Sequence, residues 1–246
     1  MRLPEDPWER DGPLVARLRR QLGVITGKTH MVEFAFGGTG QNSHLGAPYN
    51  PWDTAAHRSV GGSSSGAGVS LLEGSAALAL GSDTAGSVRI PASMTGNVGL
   101  KVTIGRWSTE GIVPLSFTFD TPGLLARSVA DVAFGFAALD AAGIDPAGFL
   151  AQAGTCDLAE VRIGVGDPFL WRDCDPGIAE TAEEAVRALA PSHAISPSRR
   201  QKPPMPCFSK VGLARLNCAA SSTGSCQNGW RSWIRSSRRR CAMRRP

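Results

Sequence analysis

Two short stretches hold the residue types that a reaction would need. Gly61-Gly62-Ser63-Ser64-Ser65-Gly66 and Gly81-Ser82-Asp83-Thr84-Ala85-Gly86-Ser87-Val88-Arg89 each set hydroxyls on a turn. Their glycines let a second backbone or a substrate come close. The small residues before Ser87 can aim successive amide N–H groups at one point, the arrangement that stabilises negative charge growing on a carbonyl oxygen. A single Gly/Ser run is most often a linker or turn. Two of them separated by an apolar helix and strand are harder to dismiss. Other candidates are weaker. His30, His44 and His57 have no spacing that builds a Ser-His-Asp triad with Ser87, so they read as polar loop histidines. Residues 23–29 look like a phosphate-binding loop, but that loop needs four residues between its glycines, and only three separate Gly23 from Gly27.

The elements that position these stretches alternate in type. Leu14, Val15, Leu18 and Leu22 lie at helical spacing and predict an amphipathic helix over residues 12–22. Val24 and Ile25 then read as a short buried strand. Residues 33–53 are rich in Gly, Asn and Pro and read as a long ordered loop. The pattern continues as a helix over 67–73, a strand over 76–82, a turn at 83–87 and a loop to Lys101. A helix over 128–142 has Ser128 as N-cap, Asp131 in a capping-box position and Gly143 as its stop. A strand over 161–165 and a helix over 178–190 follow. Such alternation predicts an α/β fold with a mixed, largely parallel sheet covered by helices. Only three or four strands are legible, which is few for a closed core.

At 42% hydrophobic and 19% charged, the composition is globular. No run of 18 apolar residues occurs, so no membrane span is expected. The first 20 residues are charged and lack an apolar signal-peptide core, which points to the cytoplasm. The net charge of +5 averages two unlike segments. Residues 1–190 carry 14 basic and 21 acidic side chains, a net of −7; residues 191–246 carry 12 basic and no acidic ones. Cys156 and Cys174 lie in the first segment, and Cys207, Cys218, Cys226 and Cys241 in the second. None forms a CxxC pair, so neither a metal site nor a disulfide framework is expected. Residues 191–246 also lack periodicity. Their enrichment in Arg, Pro, Ser, Cys and Trp reads as a frame-shifted stretch, ahead of a disordered extension or a basic nucleic-acid-binding tail.

One resemblance is specific. The segment GGSSSGAGVSLLEGSAALALGSDTAGSVRIPASMTGNVGLK, residues 61–101, resembles the signature of the amidase-signature family, which includes bacterial amidases, fatty acid amide hydrolase and the A subunit of the tRNA-dependent amidotransferase. In that family the nucleophilic serine lies 24 positions after a first serine that follows a Gly-Gly pair through a cis peptide. Ser63 and Ser87 have that spacing in matching contexts. The likeness extends upstream through TGKTHMVEFAFGGTGQNSHLGAPYNPWD and downstream through FDTPGLLARSVADVA, covering roughly residues 12–190. It implies a Ser-cisSer-Lys triad in which Ser87 is the nucleophile and Ser63 relays its proton. The N–H groups of Thr84, Ala85, Gly86 and Ser87 would form the oxyanion hole, and Asp83 and Arg89 would brace the loop. The implied substrate is a small-molecule amide, with no cofactor and no nucleic-acid partner; a homodimer is compatible with the family.

One part of the pattern is missing. The family's general-base lysine lies roughly seventy residues before the first signature serine, and counting back from Ser63 runs past Met1. Lys28 and Lys101 match other, non-catalytic family segments. The chain thus divides into a partial domain over residues 1–190 and a basic tail over 191–246. The function expected is amide hydrolysis. Two alternatives stay open: the A subunit of a tRNA-dependent glutamyl or aspartyl amidotransferase, and an inactive fragment or pseudogene product. Phe119-Asp120-Thr121-Pro122-Gly123 favours a free-standing amidase over the amidotransferase. The 246-residue chain is expected to hydrolyse aryl and aliphatic amides at background rate. Comparable turnover beside a version extended upstream and continued in a restored frame would overturn either the missing base or the truncation.

Overall fold

The computed structural model describes residues 10–155, 157, 161–165, 174–175, 177–189 and 194–197. The elements are α1 (Pro13–Arg20), α2 (Ser65–Leu72), β1 (Leu78–Asp83), α3 (Arg89–Met94), β2 (Val98–Lys101), β3 (Thr121–Ala126), α4 (Val129–Leu139), α5 (Pro146–Gly154), β4 (Arg162–Val165), α6 (Ile178–Leu189) and β5 (Ala194–Pro197).

The main sheet has the order β1-β3-β2, and β3 runs antiparallel to both neighbours. Its register sets Asp83 opposite Thr121 and Lys101 opposite Gly123. Since β1 and β2 both oppose β3, they run in the same direction with α3 as their crossover. The parallel relation expected from the strand–helix alternation is therefore present, but split by an antiparallel strand inserted between its members. Parallel pairing through hydrogen bonds is confined, among the described residues, to β4 and β5. The fold is mixed α/β, as expected.

β3 is buried along its whole length because both faces of the sheet are covered. Successive side chains point to opposite faces. Leu125 accordingly joins Ala67 and Leu71 of α2, Ala79, Val88 and Ala92 on one side. Leu124 and Ala126 join Val102, Trp107, Val132 and Leu139 on the other, where Leu14 and Leu18 of α1 also pack. A strand buried on both faces has no polar alternation to betray it. That is why Thr-Pro-Gly-Leu-Leu-Ala shows no strand signal in the sequence. The sequence pattern also left β2, α3 and α5 unmarked.

Several helix ends follow their sequence signals. The Asp131 N–H donates to Ser128 Oγ at 3.1 Å and the Ser128 hydroxyl donates to the Asp131 carboxylate at 2.7 Å, which closes the expected cap of α4. The other end is a correction: α4 stops at Leu139 with Asp140 as C-cap, and Gly143, at φ of 67°, turns the chain three residues later. Asp145 caps α5 by accepting from the Gly148 N–H at 2.8 Å. One element is a correction: Val24 and Ile25 form no strand, and Val24 is 85% exposed. The segment after α1 has no neighbouring strand to pair with, so two β-branched residues are not enough. At the other end, β5 lies beyond Ala190, so regular structure continues past the expected boundary. The expectations for the remaining tail, with Cys207, Cys218, Cys226 and Cys241, and for Cys156, lie outside the described residues. Cys174 is exposed and unpaired. Among the described residues no helix is long and apolar enough to cross a membrane.

Residues 30–32 run beside the first glycine–serine turn: Gly66 N–H donates to His30 O at 2.8 Å and Val32 N–H to Ser63 O at 3.0 Å. A Cβ on Gly66 would run into the His30 backbone nitrogen, which cannot swing aside as a flexible side chain could. Gly66→Ala is expected to destabilise the fold by about 3 kcal/mol in urea unfolding. Gly154→Ala, where nothing lies within 4 Å, is expected to cost nothing and to gain about 0.5 kcal/mol.

Candidate active site

The second turn is organised around one carboxylate. Asp83, the last residue of β1, has a side chain that is 0% exposed. Arg89 reaches it from the first turn of α3 with two parallel bonds, Nε to Oδ2 and Nη2 to Oδ1, both 3.0 Å. Backbone N–H groups add to these: Gly86 to Oδ1 at 2.7 Å, Val88 to Oδ2 at 3.2 Å and Arg89 to Oδ2 at 3.4 Å. Gly86 adopts φ of 118°, a conformation open to glycine, and so turns its N–H inward. Burial pushes the Asp83 carboxyl up, but the Arg89 and backbone hydrogen bonds outweigh it and hold the group below its ordinary value. Asp83 raises the Arg89 pKa in turn. The carboxylate is fully buried while Arg89 is half exposed, so the pair is not an ordinary surface ion pair.

The turns that carry Ser63 and Ser87 are joined by a backbone hydrogen bond. The Gly62–Ser63 peptide bond is cis. The Ser64 N–H donates to Ser87 O at 3.2 Å, which joins the start of α2 to the turn before α3. Ser63 is 1% exposed and Ser87 9%. Neither hydroxyl is committed to a hydrogen bond among the described residues, whereas Ser64 Oγ donates to Ser82 O at 3.5 Å and Ser65 Oγ lies 2.9 Å from His30 Nδ1. Every fully buried side-chain oxygen described has a partner. The unpartnered Ser63 hydroxyl oxygen is therefore not fully sealed from solvent.

Of the four expected N–H donors, Gly86 is taken by Asp83. The Thr84, Ala85 and Ser87 N–H groups make no hydrogen bond to Asp83, and Ala85 is exposed. The two lysines described are not directed to the serines. Lys28 is exposed, and Lys101 Nζ donates to Val102 O at 2.8 Å. None of the described histidines hydrogen-bonds to Ser87 either. His44 pairs with Glu33 at 3.4 Å, and His57 bonds to Pro48 O and packs on Tyr49. No helix follows Lys28 directly, so residues 23–29 lack the helix N-terminus a phosphate loop requires. Among the described residues no cluster of His, Cys, Asp and Glu could hold a metal ion.

Sequence reasoning missed two contributors. His30 bridges the Gly46 carbonyl, 3.1 Å from Nε2, and Ser65. Asp120 accepts the Thr84 hydroxyl at 2.5 Å and the Leu115 and Ser116 N–H groups at 2.8 and 2.9 Å. Neither has a local signal, because the partners that matter, Ser65 and Thr84, lie far away in sequence.

Asp83 has a folded pKa below its unfolded one, so its contribution to stability is present above the unfolded pKa of about 3.9 and is lost as pH falls through the folded value. Asp83→Asn is expected to lower unfolding free energy at pH 7 by about 2 kcal/mol. The gap to wild type should close as the pH is taken from 5 towards 2, read by urea unfolding at each pH. A gap that is constant over that range would refute the role of ionised Asp83.

Comparison with known proteins bears on the whole arrangement. The family model described as Amidase matches residues 3–206. Over 188 residues, 76% of this chain and 40% of the relative, the sequence is 59% identical to 2-amino-5-chloromuconic acid deaminase of Comamonas testosteroni. It is 42% identical over 188 residues to the A subunit of glutamyl-tRNA(Gln) amidotransferase of Symbiobacterium thermophilum, covering 73% of this chain and 38% of that one. The peptide amidase of Stenotrophomonas maltophilia superposes with a TM-score of 0.61 at 33% identity, over 77% of this chain and 42% of that one. The chain thus spans about 40% of the length of the curated relatives it matches. With the two glycine–serine turns joined as described and the family model matching most of its length, this chain belongs to the amidase family.

Proposed function

We propose that this chain carries the nucleophile and oxyanion-binding part of an enzyme that hydrolyses carbon–nitrogen bonds in small substrates. Ser87 Oγ attacks the electrophilic carbon and gives its proton to Ser63 Oγ. The Thr84, Ala85 and Ser87 N–H groups receive the oxygen on which charge develops, while the Gly86 N–H holds the loop. The amine leaves, and water then releases the acyl group from Ser87. The observation that carries this reading is the Ser64 N–H to Ser87 O bond. It ties the two turns together while both serine hydroxyls remain uncommitted.

The proton that Ser63 relays needs an acceptor. The family resemblance makes it a lysine, and neither Lys28 nor Lys101 is placed for the task, so the acceptor comes from outside the described residues. For the substrate, the 59% identity to the deaminase favours a small acid with a C–N bond to be cleaved. The lower identity to the amidotransferase makes a charged-tRNA substrate the second reading.

The test is covalent labelling with a fluorophosphonate, followed by peptide mapping, on the protein extended upstream. Label is expected on Ser87. Ser87→Ala should abolish it, and Ser63→Ala should slow it about 100-fold. Label that survives Ser87→Ala would sink the assignment.

A further inference from the structure

The loop that presents the oxyanion donors has a second carboxylate anchor. β1 and β3 end their ladder with Asp83 opposite Thr121. The residues just outside it, Thr84 and Asp120, are joined side chain to side chain, Thr84 Oγ1 donating to Asp120 Oδ1 at 2.5 Å. The other oxygen of Asp120 is taken by the Leu115 and Ser116 N–H groups. The Asp120 and Phe119 N–H groups donate to Ser116 O at 2.9 and 3.1 Å, which closes this turn on itself. Asp120 is thus set rigidly before it meets Thr84. It also lines a cavity of about 380 Å³ with Glu110, Ile112, Pro114 and Phe117.

We propose that Asp120 is a positioning residue for the oxyanion loop, acting through the Thr84 hydroxyl. Asp83 fixes the Gly86–Arg89 end of the loop from inside the sheet. It makes no hydrogen bond to Thr84 or Ala85, the first two donors. Thr84 is half-buried and Ala85 exposed, so core packing does not set their direction. A hydroxyl held by a carboxylate fixes the Thr84 side chain, and through it the peptide planes that carry these N–H groups. Charge-assisted hydrogen bonds of this kind are short and strong. The inference rests on the reading of Ser87 as nucleophile, and goes beyond it by assigning a residue 33 positions away to the geometry of the oxyanion site.

Thr84→Val is the decisive variant, because it is isosteric and removes one hydroxyl. Asp120 is half-buried, so water can replace the lost donor there. Two readouts, taken on the protein extended upstream as in the labelling test above, are compared with wild type and with Thr84→Ser, which keeps the hydroxyl. Amide hydrogen exchange over residues 84–89 is expected to quicken about tenfold in Thr84→Val, with the melting temperature little changed. In fluorophosphonate labelling of Ser87, the maximal rate constant should fall about 10–100-fold while the half-saturating probe concentration stays within twofold, since the loss is of alignment and not of binding. Thr84→Ser should restore both. Asp120→Asn sets an NH2 group against two N–H donors and is expected to slow labelling as well. Wild-type labelling with an unchanged maximal rate in Thr84→Val would overturn the proposal while leaving Ser87 as nucleophile. Unchanged exchange would overturn it equally. Absence of label on Ser87 in wild type would overturn the underlying reading instead.

Discussion

The ionised side chain of Asp83, buried at the end of β1, is the constraint on which the site depends. A carboxylate removed from water costs several kcal/mol unless hydrogen bonds and an opposite charge replace its hydration. Here two guanidinium N–H groups and three backbone N–H groups do so. The demand runs both ways. To satisfy the carboxylate, the chain after β1 must fold back over it, and that turn places Ser87 at the start of the next helix. Arg89 is 55% exposed on its outer side, so the ion pair is screened there and closed within. The loop is therefore shaped by electrostatic need, with glycine at the one of these positions whose inward N–H requires a positive φ.

That anchor needs a rigid strand beneath it, which β3 supplies. Inserted between β1 and β2, it contributes Leu125 to one apolar cluster and Leu124 and Ala126 to the other. A shift of one residue would exchange these faces and move Thr121 away from Asp83. The register that fills the two cores is thus the register that sets Asp120 beside Thr84. Arg127, just after β3, donates to the Leu71 and Ala76 carbonyls and ties the end of α2 to the same frame. The elements that hold Ser63 and those that hold Ser87 consequently share one strand.

The turn between β1 and α3 divides its backbone N–H groups into two sets. Gly86 and Val88 turn to Asp83. Thr84, Ala85 and Ser87 remain free of it. Ser64 and Ser65 likewise engage their hydroxyls with Ser82 O and with His30, leaving the Ser63 hydroxyl uncommitted among the described residues. Adjacent serines of the same type thus differ in their hydrogen bonds, decided by which neighbours their side chains meet.

The sequence by itself determined the chemistry-bearing segments and the mixed α/β class. Ser63, Ser87, Asp83 and Arg89 were legible because they sit in two contiguous turns whose glycines and spacing are local properties. The α4 cap at Ser128 was legible for the same reason, since both partners lie three residues apart. β3 was not, because a strand buried on both faces shows no alternation, and Val24 and Ile25 misled because β-branched residues without a pairing partner do not make a strand. Only the tertiary structure decided that an antiparallel strand separates β1 from β2. It alone bonded the Gly86 N–H to Asp83, paired His30 with Ser65 and Asp120 with Thr84, and turned Lys101 to a backbone carbonyl. The Asp120–Thr84 partners lie 36 residues apart in the chain. Such meetings depend on strand register and loop packing, which no local spacing encodes.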